Sequence, residues 1–134
     1  MNLRIFLAIG LASFSVACLT SGMKIHLTTA TALEHLREIR AAETKFRDSS
    51  PTRRYATLDE LLKESLVPRV LDDGVDYNYK FELATTDSGY TVHADAIDFD
   101  SSGGNFFMDE TGIIRASLDR NTRADKSSYS IKNQ

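Results

Sequence analysis

The hydrophobic pattern of this sequence changes period between Pro68 and Gly74, and that change limits the folds open to it. Before it, apolar residues recur every three or four positions. After it, they alternate. Ala32, Leu33, Leu36, Ile39, Ala42 and Phe46 form one stripe of an α-helix in a stretch free of Pro and Gly through Asp48. Thr31 followed by Glu34 has the form of a capping box, so the helix is expected to begin there. Glu43 and Arg47, four apart, are expected to pair on its solvated face, and Ser49-Ser50-Pro51 to end it. A second, short helix is expected after Thr57, with Glu60 closing a capping box and Leu58, Leu61 and Leu62 turned inward.

From Val75 the period is two. Tyr77, Tyr79, Phe81 and Leu83 share one side of a strand, and Asn78, Lys80 and Glu82 the other. After the hairpin loop Thr85–Gly89, Tyr90, Val92, Ala94 and Ala96 alternate with Thr91, His93 and Asp95. Asn105–Met108 and Ile113–Ala116 are two further short strands around Thr111-Gly112. The expected fold class is α+β: a long N-terminal helix and a short helix packed on a four-stranded antiparallel sheet, over residues 28–117. Residues 118–134 are polar and unpatterned, and are expected to form a disordered tail.

The N-terminus is organised differently. Arg4 precedes an apolar run, Ile5 to Ala17, that ends at Cys18, the sole cysteine. A basic start, a short apolar core and a small residue before the cut are the parts of a secretory signal. The run is shorter than the ~20 residues of a spanning helix. One cysteine excludes an internal disulfide, and 134 residues exclude the large barrel enzymes. Lys and Arg number 16 against 19 for Asp and Glu, a net charge of -3 that argues against a nucleic-acid partner.

Phe14-Ser15-Val16-Ala17-Cys18 resembles a bacterial lipobox. The resemblance implies a lipoprotein-type signal peptide over residues 1–17 and lipid on Cys18. Residues 18–27 would then be a lipidated tether. The membrane contact would be through that lipid, on the periplasm-facing side of the envelope, with Leu19 after the cysteine favouring the outer membrane.

Leu36–Phe46, a short gap, then Tyr55–Leu62 with its Leu-x-x-Leu turn, and the later Ser88–Val92 and Asp109–Arg115, resemble type IV pilins and the pseudopilins of type II secretion. That resemblance implies a pilin-like head that acts by binding a protein partner in the envelope, as a structural or interaction module, not as an enzyme. Pilins carry an acid near the start of an apolar N-terminal helix for filament assembly, and residues 5–18 contain none. A non-catalytic envelope lipoprotein is therefore expected. Its rivals are a minor pseudopilin anchored by an uncleaved helix, and a small periplasmic ion- or ligand-binding protein.

Candidate chemistry is sparse. Asp98, Asp100 and Asp109, with Gly103 between, partly follow a calcium loop, but the flanks are strands and the expectation is a solvated turn with no metal. Ser21-Gly22-Met23-Lys24 matches Ser-x-x-Lys without companion motifs. His26, His35 and His93 are isolated and expected at the surface. Arg53-Arg54 is a lone basic pair. No catalytic residue, cofactor or small-molecule substrate is expected.

Overall fold

A single helix, α1 (Ala17–Ser49), runs unbroken for 33 residues, about 50 Å. The computed structural model describes residues 17–132, with side chains from Gly22 onward. Thr31 therefore does not start a helix. Its hydroxyl donates back to Leu27 O at 3.0 Å, which holds Thr31 inside the helix interior. Residues 18–27, expected as a tether, are its first turns. The buried face carries Ala32, Leu36, Ile39 and Ala42. The chain leaves the helix beyond Ser49, just before Pro51.

Helix α2 (Leu58–Lys63) has the expected capping box. Glu60 N donates to Thr57 Oγ1, and Thr57 N to Glu60 Oε2 at 2.9 Å. Arg54 clamps the same carboxylate with two nitrogens, at 2.9 and 2.6 Å. Leu61 is buried, and Leu58 and Leu62 partly so.

The sheet is antiparallel with six strands, not four. In chain order they are β1 (Val75–Asp76), β2 (Tyr79–Thr85), β3 (Tyr90–Ala96), β4 (Asn105–Asp109), β5 (Arg115–Ser117) and β6 (Tyr129–Ser130), each paired to the next. The α+β class stands, but the strand count is corrected at both edges. The alternating run from Val75 breaks because Tyr77 and Asn78 both have positive φ, 41° and 74°. They make a two-residue turn that folds Val75 back on Lys80. Asn78 holds this turn by donating to Asp98 O and accepting from Asp98 N. At the other edge, the expected tail supplies β6, with Tyr129 opposite Ala116.

Both faces of the sheet are covered. The inner face sets Tyr79, Phe81, Val92, Ala94, Phe106 and Met108 against Leu36 and Ile39 of α1. The Tyr79 hydroxyl donates to Gly104 O and accepts from Gly103 N. Gly103 sits so close to α1 that a Cβ there would come within 2.3 Å of Thr29 Oγ1. On the outer face Phe107 is buried, edge-on to His93, with ring centroids 5.1 Å apart. Residues 118–128 lie over this face. Asn105 Nδ2 donates to Thr122 O, Arg123 pairs with Glu82 and Asp95, and Ala124 is fully buried.

Candidate functional site

The apolar stripe of α1 carries two ionisable residues, His35 and Glu43, both buried. His35 was expected at the surface, and Glu43 on the solvated face beside Arg47. Both expectations are corrected. Position 35 is three residues after Ala32 and four before Ile39, and position 43 four after Ile39, so helical geometry carries both inward.

His35 joins α1 to the sheet edge. Its Nδ1 bonds Glu38 Oε2 at 2.7 Å and its Nε2 bonds Asp76 Oδ2 at 2.6 Å. Its ring meets Phe81 edge-on, with centroids 5.5 Å apart. Burial alone would lower its pKa, but the two carboxylates outweigh burial and the pKa is raised. An imidazolium with both N–H groups donating to carboxylates is the form this geometry favours.

Glu43 anchors the chain between the helices. Its Oε2 accepts the Ala56 N–H at 2.8 Å, while Oε1 has no partner among the described residues. Burial pushes the carboxyl up to about 7, with the Ala56 bond opposing and the nearby Glu60 adding to the rise. Arg47 does not pair with it. Its guanidinium instead donates to Tyr55 OH at 2.7 Å.

These two groups are eight residues apart on one helix, about 12 Å, and each is bonded within its own set of elements. Neither lines the open cleft of about 460 Å³ beside Lys45, Phe46 and Arg54, or the one of about 580 Å³ beside Asp72, Phe81 and His93. Their arrangement ties elements together. It does not present a proton donor and an acceptor to one bound molecule.

The residues singled out from sequence are not brought together. Asp98 caps a short 3-10 turn, accepting from Asp100 N at 3.2 Å and Ser101 Oγ at 2.6 Å. Asp100 pairs with Arg120. Asp109 ends β4 and accepts from Thr111 N at 3.1 Å. The length of β4 separates Asp109 from the other two, four residue steps or about 13 Å. Among the described residues, no three His, Cys, Asp or Glu side chains are placed to share a metal ion.

His26 and Lys24 are exposed on α1. His93 lies on the outer face with Nδ1 lacking a partner among the described residues, and burial, with Arg123 adding, lowers its pKa. Arg53 reaches Asp48 at 3.4 Å, and Arg54 is committed to Glu60. The side chains of Cys18 and Ser21, and the leader before Ala17, lie outside the described residues. The Arg123 bridge was missed from sequence. Its only signal there is the Arg123-Ala124 pair just before Asp125, in a stretch that opens at Asp119; both aspartates fold local turns by accepting backbone N–H groups. No family model, curated protein or solved structure matches the chain.

Proposed function

We propose that this chain is a non-catalytic module of a bacterial cell envelope: a pilin-like α+β head on a helical stalk, held at a membrane by its N-terminus and acting by binding another envelope protein. One observation carries the proposal. Helix α1 packs on the sheet through residues 32–42, yet continues back to Ala17, directly after the apolar sequence 5–16. Met23 and Leu27 are exposed on that extension. Polar groups inside the head support a structural role, since His35 and Glu43 are spent on joining elements. The order of a long helix, a capped short helix and an antiparallel meander supports the pilin-like comparison.

The anchor is lipid on Cys18, with the head facing the periplasm from the outer membrane. A second assignment, a minor pseudopilin held by an uncleaved helix, is favoured by Ala17 and Cys18 both being helical within α1. No helix among the described residues is long and apolar enough to cross a membrane, so that anchor would have to draw on residues before Ala17. Fractionation of cells making the full chain and its Cys18→Ala variant separates the two. Lipid anchoring predicts that the wild type enters the membrane fraction, takes up labelled fatty acid, and that Cys18→Ala is released. A variant still in the membrane, with its leader uncut, replaces the lipid by a helix. A wild-type chain in the soluble fraction overturns both.

A further inference from the structure

We propose that the end of the head from which α1 emerges is itself a membrane-contacting surface, one that rests on a zwitterionic lipid interface; this builds on the membrane-anchored assignment above. Tyr79 pairs with Ala96 at one limit of the β2–β3 ladder, so the Tyr77–Asn78 turn and Ile97 share that end. Ile97 N donates to Asn78 O at 2.9 Å. The connection from β3 to β4 starts there and touches the lower part of α1, where Thr28 Oγ1 donates to Ser101 O at 3.0 Å. Leu118 closes the group, since a Cβ on Gly104 would lie 3.1 Å from its side chain.

Large apolar side chains are left uncovered around this end. Tyr77 is 56% exposed, Ile97 60% and Leu118 76%, beside Met23 at 73% and Leu27 at 57%. Met23 and Leu27 are one turn apart on a common side of the helix. The opposite end is built from Thr86, Asp87, Ser88 and Glu110, with Ile113 as its exposed apolar residue.

Position along α1 identifies the occupant as lipid. Lys24 is close enough to Asp98 to help hold that carboxyl below its ordinary range, after the larger effects of Ser101 and the Asp100 N–H. Lys24 is seven residues beyond Ala17, about 10 Å along the helix. The uncovered side chains thus lie within reach of the headgroup layer that a lipid on Cys18, next to Ala17, would enter. Their chemistry suits that layer: an aromatic ring with a polar tip, and aliphatic groups that gain by leaving water. Asp98, Asp100 and Asp119 outnumber Lys24 and Arg120 there, which disfavours anionic lipid and selects a neutral, zwitterionic surface.

The chain has no tryptophan, so a single introduced one reports its own surroundings. The full chain carrying Ile97→Trp, and separately Asp87→Trp at the far end, is reconstituted into phosphatidylcholine vesicles containing bromine-labelled lipid. Contact predicts that Ile97→Trp is quenched about twofold or more and shifts to the blue, while Asp87→Trp is unaffected. Quenching should weaken when phosphatidylglycerol is mixed in. Protein that floats with the vesicles but leaves Ile97→Trp unquenched overturns the surface while sparing the anchor. A blue shift that tracks protein concentration without quenching assigns the patch to a second copy, and also overturns it. Failure to float overturns the anchor and this surface together.

Discussion

Glu43 shows what one buried carboxyl does to a small head. Its folded pKa of about 7 exceeds the ordinary carboxylate value because burial disfavours the anion. At low pH both folded and unfolded chains hold the proton, and nothing is lost. As pH rises above about 4.5 the unfolded chain releases its proton first, so folding weakens until the folded carboxyl has also titrated. Between pH 5 and 8 this amounts to roughly 2–3 kcal/mol. Glu43→Gln keeps an oxygen for the Ala56 N–H and removes the titration. Its stability relative to the wild type should therefore grow by that amount across the interval, measured by urea unfolding at each pH. Parallel pH profiles would mean that Glu43 reaches water. His35 and His93 do not disturb this difference, because both chains contain them. His35 supplies stability below about pH 6.5 that is lost as pH rises through its raised pKa, and His93, lowered, acts in the opposite sense.

At the scale of elements, α1 is held by the middle of its stripe. Ile39→Ala should cost about 2–5 kcal/mol, because the residue is fully buried against the sheet. Leu27→Ala, on the exposed extension, should change stability by no more than about 0.5 kcal/mol. Denaturant unfolding of the two variants side by side checks this, and equal effects would mean that the stalk packs on something. Period alone located the packed part of α1, and spacing alone located the α2 capping box. The start of α1 was not legible, since a threonine that bonds back to the preceding turn has the same local sequence as one that begins a helix. Strand β1 was hidden because its turn uses Tyr77 and Asn78 without glycine. Two residues of β6 carry no period to detect. His35 and Glu43 were legible in principle, since both fall on the stripe that Ala32 and Ile39 define.

For the molecule as a whole, the second face of the sheet decides integrity. The segment 118–128 covers Phe107 with one buried alanine and a set of half-exposed ion pairs. Such pairs contribute little individually, so Arg123→Ala should cost less than about 1 kcal/mol. Ala124→Asp places an unpaired charge where nothing is exposed, and should destabilise by about 3 kcal/mol or more, with the hydrophobic dye ANS then bound. Equal melting temperatures for the two variants would show the segment lifting freely. A sheet whose strands pair in chain order has a consequence for biogenesis. As the polypeptide leaves the ribosome amino-terminus first, each hairpin can close on the strand just released, with only short loops to order. Helix α1 is the exception, because it emerges early and its partners on β3 and β4 emerge about fifty to seventy residues later. For that interval Leu36 and Ile39 face water, so the first half of the chain is the segment a holdase has to shelter.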